Sequence, residues 1–310
     1  MPLEPAQVRL LALIERHRSL SAAAAALGVT PAAVTQQLAR AERDCGAALV
    51  RRGPRGASLT AAGAVVAGHG AAIDRHTRQA ADDLAALLGR LSLRLRIGAF
   101  QAAALHLLPP ALTALRHRHP DADLSVVDIT SERGMPLVAA GDLDLAVIAA
   151  WDEPPVPPEH VRAHPLLTDP MVVVLPDDHP LALAHPPGEA LRLDQLGDEA
   201  WVTILAGHAA RAQFDRAAAT AGFIPKVRFQ TASYDVAQAL VGTGIGVALV
   251  SRLALTHTPG TTHRPLVPHG PHRRLYAATL ADPGLTPLVG AFRRLLRDVA
   301  EDVRAGWAEG

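Results

Sequence analysis

The stretch TPAAVTQQLAR, residues 30–40, carries a hydroxyl, an amide and a guanidinium on Thr35, Gln36 and Arg40. These fall largely off the face made by Val34, Leu38 and Ala41, which recur at helical spacing. Groups of this kind hydrogen-bond to nucleic-acid bases and phosphates. A Gln amide pairs with adenine N6 and N7, a Thr hydroxyl reaches a base or phosphate, and a small apolar residue such as Ala32 meets a thymine methyl. A second basic cluster follows in Arg51-Arg52-Gly53-Pro54-Arg55. There the arginines would tip a hairpin between Leu49-Val50 and Ala57-Ser58-Leu59, with Arg52 and Arg55 reaching phosphates or the minor groove. Residues 1–60 hold eight Arg against four Asp and Glu, a net of +4 in a chain whose formal charge is zero. Neutralising phosphates needs such a local excess.

A pair of short helices must position these groups. Ser21–Leu27, almost all alanine, reads as the first, with Ser21 as N-cap, and Gly28-Val29 breaks it. Thr30 caps the second helix, and Pro31, with no N–H to leave unpaired, begins it. Small residues in the first helix let the second cross it closely. This is the pattern of a helix-turn-helix, whose second helix enters the DNA major groove. An alanine-rich pair with a Gly turn also suits a helical bundle; the hairpin and the basic excess favour DNA. Leu3, Val8, Leu11 and Ile14, widened by Leu10 and Leu13, predict an amphipathic helix over 3–17 packed behind the pair.

Thr60 then caps a proline-free helical pattern from Ala61 to about Gly89, roughly 45 Å long at about 1.5 Å per residue. Val66, Ile73, Ala80 and Leu87 repeat every seven residues, and Gly70, Thr77, Leu84 and Leu91 form a weaker second row. Such a seam suits pairing with a second copy, and DNA half-sites call for a dimer.

Beyond it, strands and helices alternate. Strands are predicted at 94–100, 124–129, 143–148, 171–175, 201–204, 227–230, 247–250 and 274–280. Helices are predicted at 103–119, 136–140, 209–221, 234–241 and 287–304. Two α/β halves with crossovers suggest the fold of periplasmic solute-binding proteins, with ligand in the cleft beyond the carboxyl ends of the strands. Strand ends facing that cleft offer Gln101, Ala102 and Ala103, then Thr130, then Trp151, and in the other half Thr203, Ile204 and Leu205.

Other chemistries lack support. A chain of 310 residues with 49% hydrophobic and 19% charged residues is globular and long enough for two or three domains. No apolar run approaches the roughly 20 residues that span a bilayer. The first twenty residues mix acids and arginines into a helical pattern and do not resemble a signal peptide, so the expected location is the cytoplasm. Cys45 is the one cysteine, which excludes an intramolecular disulfide. His117 and His119 are two apart and share no helix face. His257, His263, His269 and His272 spread through a Pro/Gly-rich loop without carboxylate or Cys at ligand spacing, so no metal or other cofactor is expected. GTGIG at 242–246 follows a helix and precedes a strand, the reverse of the dinucleotide fingerprint. His208 and Asp215 near Thr203 have no nucleophile elbow, and no enzyme is expected.

The stretch AAAAALGVTPAAVTQQLARAERDCGAALVRRGPRGASLTAAG, residues 22–63, resembles the LysR-type transcriptional regulators. The resemblance continues nearly end to end, through GDLDLAVI at 141–148. It implies an α plus α/β architecture: a winged helix-turn-helix over 1–60, a linker and dimerisation helix over 61–91, and a periplasmic-binding-protein-like effector domain over 92–310. The two α/β subdomains of that last part would be about 94–165 plus 268–310, and about 166–267. The implied partners are double-stranded DNA, a small-molecule effector and further copies of the chain in a homodimer or homotetramer, with RNA polymerase as an additional candidate. Two departures stand out. Thr35-Gln36 replaces the Ser-Arg or Ser-His often found in the family, which shifts base preference toward adenine. Ala102 replaces the usual Ser or Thr, which removes a hydroxyl that would hold an anionic effector and leaves the backbone N–H groups at the helix start for that role. The redox-sensing variant of the family uses a cysteine pair, which this chain lacks. The reading is therefore a sequence-specific DNA-binding regulator controlled by a small effector. The alternative is a solute-binding protein with a helical appendage, which would call for a signal peptide.

Overall fold

The structure is a computed structural model that describes residues 3–53, 56–70, 73, 77, 93–268, 270–281 and 285–309. The chain divides into two compact units, Met1–Leu93 with Pro136–Leu143, and Arg94–Met135 with Asp144–Gly310.

In the first unit, helices α1 (Pro5–His17), α2 (Leu20–Leu27) and α3 (Pro31–Cys45) precede the hairpin β1 (Val50–Gly53) and β2 (Gly56–Leu59). Residues 61–70 are helical (α4), as are residues 73 and 77. Leu10, Leu11, Ile14, Ala23, Ala24, Val34, Leu38 and Ala41 bury a common core. Its small alanines on α2 let three helices meet closely. The cap of α2 is Ser19 rather than Ser21: its Oγ accepts from the Ala22 N–H at 3.3 Å. Gly28 ends the helix with φ +68°, a left-handed conformation that costs other L-residues about 1–2 kcal/mol. Thr30 Oγ1 accepts from the Ala33 N–H at 3.2 Å and Pro31 opens α3.

The hairpin is pinned at its base. Glu42 Oε1 accepts from the N–H groups of Leu49 and Val50 at 2.9 and 3.2 Å. Ala57 N donates to the Arg18 carbonyl at 3.0 Å. Arg51, Arg52 and Gly53 belong to β1 and pair with Ser58, Ala57 and Gly56, so the strand runs further than the sequence suggested. Thr60 caps α4 by accepting from the Gly63 N–H at 3.0 Å. Of the seven-residue rows, Val66 packs on the unit's own core, and Gly70 is so close to α1 that a Cβ there would stand 2.5 Å from the Val8 carbonyl oxygen. Ala80, Leu84, Leu87 and Leu91 lie outside the described residues.

From Arg94 the chain runs β3 (Arg94–Ala99), α5 (Gln101–His106), α6 (Leu108–Arg118), β4 (Asp123–Asp128), α7 (Ser131–Ala139), β5 (Leu145–Ala150), β6 (Val161–Pro176), α8 (Pro180–Ala184) and β7 (Leu191–Arg192), all in the second unit except the part of α7 from Pro136 on. It continues β8 (Ala200–Ile204), α9 (Ala209–Thr220), β9 (Lys226–Thr231), α10 (Tyr234–Val241), β10 (Val247–Ser251), β11 (Thr261–Arg264), β12 (Leu266–Val267), β13 (His272–Leu280) and α11 (Pro287–Glu309). The main sheet has the order β4-β3-β5-β13-β6-β10-β8-β9, with β11 also on β6. Strands β4, β3 and β5 are mutually parallel, as are β9, β8 and β10; the antiparallel β13 and β6 join the two sets.

Strand β6 is the hinge of this arrangement. Its residues 161–170 pair with β13 and its residues 171–176 with β10 and β11, so one strand serves both halves. The sequence reading began this strand at Met171; the strand in fact starts at Val161 and runs through Pro165, Asp169 and Pro170. The fold accommodates Pro165 with a register shift opposite Leu275 and Tyr276. Two further expectations change. Helix α7 starts at Ser131 and contains Pro136, and the Pro/Gly-rich stretch of histidines holds strands β11 and β12. Two apolar cores form, one under α6 and α11 with Phe292 and Leu296 fully buried, the other around Trp201 and Phe214.

Candidate functional site

Helix α3 presents Pro31, Ala32, Thr35 and Gln36 to solvent while Val34, Leu38 and Ala41 are buried. Thr30 is exposed, but its hydroxyl already serves the helix cap. Arg40 departs from the expectation of a free phosphate contact. Its Nη2 lies 2.8 Å from Glu4 Oε1 and its Nε 3.8 Å from Asp44 Oδ2. Gln7, almost wholly buried, donates to Asp44 at 3.3 Å and accepts from the Glu4 N–H at 2.8 Å. The four residues form a closed polar ring between the first turn of α1 and the last turns of α3. The Arg40–Glu4 pair is half exposed, so its own stabilisation is at most about 1 kcal/mol; its use is to set where α3 lies. Arg40→Gln and Glu4→Gln should therefore weaken DNA binding to a similar small extent. Neither should change the slope of log affinity against log salt, which losing a phosphate contact would flatten by about one unit. Of the hairpin arginines, Arg51 is exposed on β1, only the backbone of Arg52 is described, and Arg55 lies outside the described residues.

In the second unit a cleft of about 540 Å³ opens where the carboxyl ends of β3, β4 and β5 face those of β8 and β9. Gln101, Ala102, Thr130, Trp151 and Ile204 line it. Ala103, Thr203 and Leu205 do not. Ala103 is fully buried in the core, and Thr203, also buried, accepts from Arg211 Nη1 at 3.1 Å. Leu205 is exposed, and its N–H donates to the Thr231 carbonyl at 3.0 Å. Arg211 in turn pairs with Asp215 at 2.8 Å, and His208 Nδ1 accepts from the Ala210 N–H at 3.2 Å.

Several lining residues escaped the sequence reading: Phe100, His106, Asp128, Glu132, Tyr234, Asp235 and Arg273. Tyr234 and Asp235 follow β9, and applying the strand-end rule to that strand would have found them. Arg273 enters from the antiparallel β13, where the rule does not reach. Its Nε donates to Asp169 Oδ2 at 2.8 Å and its Nη2 to Ser251 Oγ at 2.8 Å. Ser251 and the Leu253 N–H donate to the same carboxylate at 2.5 and 2.9 Å. The Arg273 guanidinium stacks over the Phe100 ring at 4.7 Å from its centroid. The floor of the cleft is thus a buried, internally neutralised ion pair.

Two polar ties cross between the halves, the first of them at the cleft. Gln101 Nε2 reaches Asp235 Oδ2 at 3.3 Å and Ser233 Oγ at 3.5 Å. Asp152 Oδ2 accepts from Arg216 at 2.7 Å and from Gln213 at 3.0 Å. The Arg216 and Gln213 hydrogen bonds hold the Asp152 carboxyl below its ordinary value, so this tie is lost only as acidification protonates it. Burial lowers the His106 pKa, although Asp235 and Asp169 both pull it upward, and burial pushes the Tyr234 hydroxyl up to about 12. A larger groove of about 750 Å³ lies on the far side of Trp151, but its Arg192 and Arg216 are engaged by Asp194 and Asp152. Among the described residues no cluster of His, Cys, Asp or Glu could hold a metal ion, and no helix is long and apolar enough to cross a membrane.

Comparison with known proteins bears on both sites. Residues 5–64 match the family of bacterial regulatory helix-turn-helix proteins of the lysR type, and residues 88–301 match the LysR substrate binding domain. Over 300 residues the chain is 29% identical to the probable HTH-type transcriptional regulator LrrA of Synechococcus elongatus, covering 96% of this chain and 98% of that one. Among solved structures, a full-length OxyR from Pseudomonas aeruginosa superposes with a TM-score of 0.71 at 20% identity, covering 97% and 95% of the two chains. Full-length CbnR complexed with its target DNA superposes with a TM-score of 0.54 at 18% identity, covering 96% and 99%. At these identities the structural likeness speaks for the fold.

Proposed function

Because the chain belongs to the LysR family of bacterial transcriptional regulators, we propose that it reads operator DNA with α3 and the β1–β2 hairpin and is switched by a small molecule in the cleft of its second unit. It is a DNA-binding regulator of transcription rather than an enzyme or a solute-binding protein, and like other LysR regulators it binds DNA and an effector and forms oligomers. Residues 1–60 serve DNA binding, 61–91 link and pair two copies, and 92–310 bind the effector, with β6 carrying the exchange between its two subdomains. The reading places the protein in the cytoplasm, without a cofactor and with RNA polymerase as a further partner.

The observation that carries the DNA reading is the exposed start of α3. Thr30 and Pro31 fix where the helix begins, so Ala32, Thr35 and Gln36 stand at the end that meets base edges. Gln36 is the long uncharged polar side chain of that face, and a bidentate contact to adenine is worth about 1–3 kcal/mol of discrimination. Gln36→Ala should relax preference at one base pair per half-site when binding to a randomised operator library is measured. A uniform loss across the library would assign Gln36 to phosphate and move specificity to DNA shape. Arg52 and Arg55 reach phosphates or the minor groove from the wing. Gln101, Ala102, Thr130, Trp151 and Ile204 form the effector contacts.

A further inference from the structure

We infer that the cleft selects a ligand carrying a protonated amine. The inference rests on reading the cleft as the effector site and concerns which chemistry that site accepts.

Charge balance is the first argument. Asp128, Glu132 and Asp235 line the cleft with three carboxylates. The lining guanidinium, Arg273, is already neutralised by Asp169, which is fully buried and takes three hydrogen bonds from Arg273, Ser251 and the Leu253 N–H. The N-termini of α7, α9 and α10 also open onto the cleft, and helix dipoles favour an anion there. Each offers only about half an elementary charge. Glu132 and Asp235 sit in the first turns of α7 and α10 and meet those dipoles with full charges of their own. The balance stays negative. Ala102, which lines the cleft after β3, offers no hydroxyl to an anion.

Unsatisfied polar atoms are the second argument. The Tyr234 hydroxyl and His106 Nε2 belong to lining residues, are themselves buried, and find no hydrogen-bond partner among the described residues. A buried polar atom without a partner is costly. Burial disfavours a charge on His106 although Asp235 and Asp169 both favour one. Those two atoms lie behind the cleft surface and do not offset its three carboxylates, so the site presents a negative field that a ligand ammonium answers. Trp151 and Tyr234 add aromatic lining that suits the apolar remainder of such a ligand and its charge.

Benzylamine and benzoate, nearly isosteric and opposite in charge, separate the alternatives when titrated calorimetrically into the full-length protein at neutral pH. Benzylamine is expected to bind at least tenfold more tightly. Trp151→Ala should weaken it, and Asp128→Asn, Glu132→Gln and Asp235→Asn should each weaken it by about tenfold where a charge-assisted bond is lost. These acids are exposed or half-buried, so the variants should fold. Tighter binding of benzoate, weakened by Trp151→Ala and untouched by the carboxylate variants, would overturn the amine and keep the cleft as effector site. Binding of neither probe, or binding indifferent to Trp151→Ala, would overturn the proposal together with that reading of the cleft.

Discussion

Asp169→Asn should destabilise the second unit by about 3–5 kcal/mol, the usual cost of removing one partner from a buried ion pair. Asp169 is fully buried and Arg273 is 6% exposed. The carboxylate takes the Arg273, Ser251 and Leu253 donors together. An amide in its place would leave the guanidinium without a counter-charge and turn an N–H₂ toward at least one donor. The measurement is direct, because Trp151, Trp201 and Trp307 are the chain's three tryptophans and all lie in the second unit. Urea unfolding followed by tryptophan fluorescence therefore reports on that unit alone. The joint replacement Asp169→Leu with Arg273→Met removes both charges and should cost less than Asp169→Asn by itself. If the joint variant is the less stable of the two, the pair contributes net stability and the argument from desolvation fails. Arg273 also floors the cleft, so effector response should disappear in both variants even where the fold survives.

Gly63→Val should have its effect in the other unit. A Cβ on Gly63 would stand 2.0 Å from the Leu49 carbonyl oxygen and 3.3 Å from the Leu59 Cβ. Leu49 cannot simply retreat. Its carbonyl accepts from the Thr60 N–H at 3.0 Å and its own N–H is held by Glu42 at 2.9 Å. A branched side chain must therefore drive α4 and the base of the hairpin apart. We expect a loss at the upper end of the roughly 1–3 kcal/mol typical of overpacking, or beyond it. The hairpin carries the wing arginines, so operator affinity should fall steeply in a fluorescence anisotropy titration. The tryptophan-detected unfolding of the second unit should be unchanged. A Gly63→Val protein that binds operator DNA as tightly as the parent would refute the packing argument.

Much of the first unit was legible in the sequence because its signals are local. Pro31, Thr30 and Gly28 act on the backbone within one turn, through a missing N–H, a capping oxygen and a left-handed φ, and need no distant partner. Even there, a contest between neighbours went the wrong way. Ser19 and Ser21 both can cap, and the helix starts at Leu20 because Leu20 packs on the core, which leaves Ser19 at the cap position. Arg40 was legible as a helical arginine but not as part of a ring, because Glu4 is 36 residues away and joins it only when α1 crosses α3.

The second unit shows the same division more sharply. Alternation of strands and helices, visible in the sequence, settled an α/β unit with a cleft at its strand ends, since chain order and crossover geometry leave few other arrangements. The strand-end rule found Gln101, Thr130, Trp151 and Ile204, which line the cleft, but also Ala103 and Thr203, which do not. Position after a strand says how far along the sheet a residue lies, and it does not say which way the side chain turns. Only the packed structure turned Thr203 inward to Arg211, carried β6 through both halves, and brought Asp169 to Arg273 across 104 residues of sequence. Those outcomes depend on which buried polar groups can reach one another once the sheets close. Desolvation makes each unpaired one costly, so the cleft's floor was set by distant partners, while the caps and turns were set by near ones.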